Sequence, residues 1–396
     1  MATYSLSNAT DLFKIKYDKL SENAFNSANI LLGRAKISNN FVGRRIELPV
    51  PLSYSGGVGS GSLPTANVGA YDMAEITAKK MYAVISVDRE AIKAAETDEG
   101  AFVRLTKHSV QKGVESWTRN MSRALFNDGT GSLGVINANA SGTAAAPVVV
   151  ITAASWKEAN FEEKDYVNCS TDSSVFEITA VTPSTRTVTL ARISGSLDLT
   201  TGGSGLTIYM QNSKDNDPTG LGGVLSATSG SLYNVPVARR WKAFQKDAGA
   251  AGITADLLNE VMLGVEKQSG KVPNMIVTSY TQYRKILNFL EDQKQYQLDP
   301  RSSDLKGKIS FRGVEFMSTM GPVGVFADRF MPDGEVWCLN DNFIEIHRRP
   351  GFGWFDDDGT IFLRSASSDD YSARYGGYLE MYAAPFAHGR LNNLST

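Results

Sequence analysis

The residues best spaced for chemistry are Gly129-Thr130-Gly131-Ser132-Leu133-Gly134, which match the dinucleotide pattern G-x-G-x-x-G letter for letter. In that chemistry the glycines turn the chain tightly and let a pyrophosphate approach the N-terminus of the next helix. A strand must come before the glycines and a helix after them. Here a helical stretch, 101–126, comes first, and 135–146 is small, polar and non-helical. Gly129 and Gly131 therefore read as a helix cap and a chain reversal.

Other chemistries are weaker still. Gly264 and Gly270-Lys271-Val272 approach a Walker A loop, but the spacing is one residue too long and Val272 replaces the magnesium-binding hydroxyl. His108, His347 and His388 are dispersed, with no metal-ligand spacing. There is no Gly-x-Ser-x-Gly elbow. Asp215-Asn216-Asp217 and Asp356-Asp357-Asp358-Gly359 offer carboxylates to a cation, yet neither completes a calcium loop, and both read as acidic turns. Cys169 and Cys338 give neither a disulfide framework nor a cysteine metal site, and Cys169 reads as a buried structural residue. No catalytic constellation emerges, and no cofactor is expected.

Composition bounds the rest. A chain of 396 residues accommodates two or three domains. A formal net charge of −2 disfavours a polycationic nucleic-acid binder, though local basic patches remain open. The N-terminus has no apolar signal core, no apolar run is long enough to span a membrane, and the cysteine usage suits cytosolic synthesis.

The element that must position the glycines is the helix before them. Phe102, Val103, Val110, Gly113, Val114, Trp117, Met121, Ala124 and Leu125 fall on one broad stripe at 100° per residue. Arg104, His108, Gln111, Lys112, Glu115, Arg119, Ser122 and Arg123 fall on the other side. Such a helix spans roughly 40 Å, longer than most globular helices. The stripe reads as core-facing.

Before it, residues 1–45 are polar with scattered basic residues and read as an arm that packs on something else. Ile46–Leu52 and Ala74–Val87 read as the two strands of an extended hairpin around the Gly-rich tip at 55–62. After the glycines, β-rich runs at 148–152, 166–169, 175–181, 187–191 and 206–210 suggest a small barrel or sandwich inserted into a larger domain. Helices are expected over 236–247, 254–267 (capped by Thr254) and 281–292, with a buried strand at 275–278. Strands then dominate to the C-terminus, which makes the chain α+β rather than βαβ.

In this order the features resemble tailed-bacteriophage major capsid proteins of the HK97-like fold. The resemblance rests on the arm, the Gly-tipped hairpin and the helix ending in Ala124-Leu125-Phe126-Asn127-Asp128-Gly129-Thr130-Gly131. It continues through Trp241, Pro273-Asn274-Met275-Ile276-Val277-Thr278-Ser279, Phe311-Arg312-Gly313-Val314-Glu315, Trp337-Cys338-Leu339-Asn340 and Tyr375-Gly376-Gly377-Tyr378-Leu379. It implies an N-terminal arm (1–45), an E-loop hairpin (46–87) and a peripheral domain with its spine helix (88–134). It further implies an axial domain (135–142 and 212–334), a β-rich insertion (143–211), and C-terminal strands shared by the two main domains (335–396).

The implied function is structural. Copies would form hexamers and pentamers of an icosahedral head around double-stranded DNA, in a virion assembled in the host cytoplasm. Scaffolding, portal and decoration or cement proteins would be partners, with no membrane involved. Tyr54, Gly56, Gly57, Gly59, Gly61 and Leu63 are the candidate inter-subunit contacts. Arg44, Arg45, Arg119 and Arg123 are the candidate interior, DNA-facing cations. An encapsulin-like compartment shell and a nucleotide-binding enzyme remain as alternatives.

Overall fold

A computed structural model describes residues 30–41, 43–53, 61, 70–88, 99–170, 173–238, 240–292, 314–318, 321–349, 353–355, 362–364 and 370–395. Most of the arm, most of the Gly-rich tip and the Asp356–Gly359 turn lie outside these residues.

Helix α1 (Ile30–Arg34) and strand β1 (Lys36–Ser38) open the described chain. Leu31, Leu32 and Phe41 are buried, and β1 pairs in parallel with β19 (Ile344–Arg348). Over 30–41, within the stretch read as an arm that packs on something else, Leu31 and Leu32 enter the chain's own main core and Phe41 is buried.

The hairpin forms between β2 (Arg45–Ser53) and β3 (Ala70–Thr77). It does not run on to Val87. The chain breaks at Ala78, and β4 (Lys79–Asp88) joins a different sheet by pairing with β22 (Asp370–Ala383). The periodicity of 74–87 is continuous, so only the partner strand reveals the break. In that six-stranded sheet β22 is the hub, flanked by β19, β4, β20 (Gly353–Trp354) and β21 (Phe362–Arg364).

Helix α2 (Glu99–Phe126) packs on this sheet. Gly113 makes the approach possible, since a Cβ there would sit 2.5 Å from Ile85 Cδ1 of β4. Val114, Trp117 and Met121 enter the main core as the stripe requires, and Trp117 meets Tyr375 edge-on at 5.4 Å. From Met121 to Asn127, however, every residue is buried. Ser122 and Arg123, expected on a solvated face, are therefore covered.

Beside this end of the helix stands a β-barrel, which Arg119 reaches at Asp165. Its strands are β5 (Ser132–Val135), β6 (Ser141–Gly142), β7 (Pro147–Val150), β8 (Tyr166–Cys169), β9 (Val175–Thr182), β10 (Thr187–Ser194) and β11 (Thr207–Met210). They pair in the order β5-β11-β8-β9-β10-β7-β6. An Ile136–Ile151 bridge, with Asn137 N–H donating to Val150 O and Thr152 N–H to Val135 O, joins the ends. Closure leaves the short flap β6 as the exception to the ring and satisfies backbone groups that an open sheet would expose. Alternate residues point inward, among them Val167, Cys169, Phe176, Ile178, Val188 and Leu190.

The remaining chain builds a second six-stranded sheet. Its order is β14 (Phe244–Asp247), β23 (Gly389–Asn392), β18 (Val336–Leu339), β15 (Met275–Thr278), β17 (Gly321–Ala327) and β16 (Val314–Ser318). Helix α5 (Ala255–Ser269) packs on it and is capped as expected, with Thr254 Oγ1 accepting from Leu257 N–H. A further helix, α6, runs Tyr280–Asp292. The helix expected over 236–247 is absent. Pro236 ends the short strand β13 (Val235–Pro236), Trp241 Nε1 donates to Leu232 O, and 244–247 is held as a strand by parallel pairing with β23. Tertiary pairing overrode a weak local preference there.

Candidate functional site

The residues that carry the sequence argument meet at the C-terminus of α2. Its last carbonyls face a second glycine cluster, Gly220-Leu221-Gly222-Gly223, which opens helix α4 (Leu221–Ser226). A Cβ at Gly220 would collide with the carbonyl oxygens of Ala124 and Asn127. A Cβ at Gly223 would sit 2.6 Å from Asp128 O. Glycine lets one helix start directly on the carbonyl end of another, where the N–H groups of the first face the unsatisfied oxygens of the second. The spacing of these glycines was visible in the sequence, but their target was not.

The G-x-G-x-x-G glycines serve the same junction. Gly129 and Gly131 adopt φ of +86° and +79°, and a Cβ on Gly131 would strike Ser213 O on the segment leaving the barrel. Gly134 leaves room for Ile151 inside the barrel. Between the first two, Asp128 Oδ1 accepts from the Thr130 N–H at 3.0 Å and hydroxyl at 2.6 Å, closing the turn locally. A strand follows, not a helix, so no helix N-terminus faces these glycines. The Walker-like spacing dissolves likewise: Gly264 packs on the Phe244 ring, and Gly270 is the left-handed cap of α5.

Ion pairs hold the barrel to the spine. Arg119 forms a bidentate pair with Asp165, Nη2 to Oδ1 at 2.9 Å and to Oδ2 at 2.8 Å, and also pairs with Glu162. Arg123 is 5% exposed, and its Nη2 lies 3.5 Å from Asp217 Oδ2 while its Nε has no partner. Burial lowers the Arg123 pKa, against the pull of Asp217. Lys157 Nζ donates to Asn127 Oδ1 at 2.9 Å, and burial pushes its pKa down to about 8. Asp217 stood in the sequence only as part of an acidic turn, and Lys157 was not singled out there at all. The one hint was that Arg119 and Arg123 sit four apart on one helix face.

A cleft of about 370 Å³ opens beside the junction, lined by Glu75, Lys79, Asp128, Thr219, Tyr233 and Glu380 among others. Glu380 is buried and Oε1 accepts the Thr219 N–H at 2.6 Å; burial still raises its pKa to about 8. Lys79 Nζ donates to Asp215 O at 2.8 Å. Among the described residues no group of three His, Cys, Asp or Glu is arranged to hold a metal. What the cleft residues do is tie β4, β22 and the barrel exit to the helix terminus.

The residues predicted from sequence fall apart into different fates. Of the inter-subunit candidates, Gly61 is described, at φ +107° with nothing within 4 Å of a Cβ, while Tyr54, Gly56, Gly57, Gly59 and Leu63 lie outside the described residues. Of the cations, Arg44 is exposed. Arg45 pairs with Glu47 at 2.7 Å and Glu75 at 3.2 Å. Arg119 is committed to the barrel through Asp165 and Arg123 to Asp217 on the segment leaving it, so neither is a free surface cation. Helix periodicity alone could not show this, because their partners lie 46 and 94 residues away.

Residues 204–394 match the family model described as SU10 major capsid protein. No curated protein matches the chain. Among solved structures, the cyanophage A-1(L) capsid asymmetric unit is similar with a TM-score of 0.54 at 11% identity, over 93% of each chain. The capsid of a native GTA particle is similar at 0.47 and 11% identity, over 91% of this chain and 89% of that one. The holo-SrpI encapsulin complex from Synechococcus elongatus gives 0.42 at 8% identity, over 92% and 86%. At such identities the likeness is one of fold. The family match covers residues 204–394, and over the whole chain the fold is that of HK97-like phage capsid proteins, α+β in its mix of helices and sheets.

Proposed function

We propose that copies of this chain assemble as hexamers and pentamers into a closed icosahedral head around double-stranded DNA, within the host cytoplasm. The observation that carries this reading is the β2/β3 hairpin. Among the described residues it is a two-stranded sheet joined by no third strand, held at its base by the Glu75 N–H donating to Tyr233 O at 2.9 Å, and such a ribbon is marginal alone. Val50 and Ala74 enter the main core and Ile76 is buried, but Pro49, Pro51, Tyr71 and Met73 form an exposed apolar row. A neighbouring subunit that covers this row supplies what the ribbon lacks. The unassigned Gly-rich tip between the strands sets the angle to that neighbour.

In this reading the barrel is the inserted domain, available to decoration or cement proteins, while scaffolding and portal proteins direct assembly. The test is negative-stain microscopy of the expressed protein beside a Tyr71→Asp/Met73→Asp variant. Wild-type shells with folded but unassembled variant subunits are expected. Normal variant shells would sink the role of the hairpin, and particles filled with protein cargo rather than DNA would shift the reading to a compartment shell.

A further inference from the structure

The β2/β3 hairpin is tied to its own subunit at one small turn. Among the described residues, the bond from Glu75 N–H to Tyr233 O is the one backbone hydrogen bond between the hairpin and the rest of the chain. Tyr233 and Asn234 form the two-residue loop between β12 (Ser231–Leu232) and β13, at φ of +52° and +65°. Such a loop needs positive φ at both positions, which asparagine tolerates and a bulky side chain resists.

Contacts of the side chain hold Tyr233 there. Its hydroxyl donates to Met381 O at 3.0 Å and accepts the Ala383 N–H at 3.3 Å. Its ring centroid lies 5.5 Å from that of Tyr382. Pairing of β22 with β4 ends at Leu379, so the hydroxyl satisfies backbone groups of the hub strand just past its last β4 partner. One residue thus joins the hairpin, through its carbonyl, to the hub of the main sheet, through its hydroxyl. A bulky residue kept at positive φ by its surroundings is a reason to look for function.

The root of the hairpin also has room to move. The cleft of about 370 Å³ is lined by Glu75 and Thr77 of the hairpin and by Ser231, Leu232 and Tyr233 of the turn. Just beyond Thr77 the chain changes pairing partner at Ala78, and such element ends absorb backbone rotation in hinges.

We propose that Tyr233 is the pin of a hinge: it fixes the lean of the hairpin on its own subunit, and opening the bond to Glu75 lets the hairpin pivot about Ala78. The same chain then meets neighbours at the different inclinations that hexamers and pentamers require. This control acts at the root of the ribbon and adds to that of the Gly-rich tip. The inference rests on the shell reading above.

The test measures distances between spin labels on unassembled full-length subunits. One pair joins Tyr71 on the hairpin to Leu263 on α5, and a control pair joins Leu263 to Ile193 on the barrel. Tyr233→Phe deletes only the hydroxyl. It should broaden the first distance distribution, leave the control unchanged, and give particles of mixed diameter by electron microscopy. Should that variant not fold, an ester in place of the Glu75 amide removes only the N–H and should broaden the same distribution. An unchanged hairpin distance would overturn the proposal, and so would equal broadening of the control, since Tyr233 would then merely support the fold. If wild-type chains form no shells, the shell reading fails, while the label distances still judge the pin.

Discussion

The barrel and the body around α2 solve the same problem in opposite ways. The barrel core draws only on residues from Leu133 to Ile208, and its backbone hydrogen bonds close on themselves through the Ile136–Ile151 bridge. The body core gathers residues from Leu31 to Ala383, and its central strand β22 pairs with strands on both sides of the barrel in sequence. A contiguous segment that closes its own sheet can fold once its own chain exists. The body cannot, because its strands meet only after the barrel has been bypassed. The two glycine clusters at 129–134 and 220–223 make the bypass compact.

The largest test of this contrast is Gly220→Val. Its side chain would strike the last carbonyls of α2, where backbone has nowhere to move. The body should lose more than about 4 kcal/mol, while barrel amides keep their protection in hydrogen exchange. Equal loss in both regions would show that they fold as one unit.

Next comes the latch between them. Asp217→Ala strands Arg123 as a buried unpaired charge, expected to cost about 3–5 kcal/mol in chemical denaturation. Adding Arg123→Met should recover much of that. No recovery would mean that Asp217 acts through Ser213, its other partner, rather than through the ion pair.

The pH dependence of the body sharpens the contrast further. The Glu380 carboxyl titrates near 4.5 when unfolded and at about 8 when folded. Between those values the folded subunit holds a proton that the unfolded chain has released, so stability falls as pH rises through this window. Its contribution is complete below 4.5. Glu380→Gln, which keeps an acceptor for the Thr219 N–H, should flatten that slope and raise stability at pH 8 by more than about 1 kcal/mol. An unchanged slope between pH 5 and 8 would refute it. Smallest of all is Lys112→Ala, which removes an exposed pair with Glu115 and should change stability by at most about 0.5 kcal/mol.

Local pattern revealed much of this. The span of α2, the barrel strands, the Thr254 cap and the buried strand at 275–278 all follow from periodicity and capping residues within a few positions of each other. So did rejection of the nucleotide motifs, since a helix before the glycines is a local fact. The break at Ala78 was hidden, because hairpin and sheet strand share one alternation and differ only in partner. The strand at 244–247 was hidden differently: its local pattern read as helix, and only parallel pairing with β23 holds it extended.

The sequence by itself determined that a long helix ends at a glycine break and that β-rich chain follows, because these depend on side-chain spacing and backbone freedom within the segment. Only the tertiary structure decided what the helix end touches. It turned Arg119 into a half-buried anchor and Arg123 into a buried one, and made Gly220 a requirement of packing. Burial and charge pairing depend on residues far along the chain, and no local pattern encodes which of them will arrive.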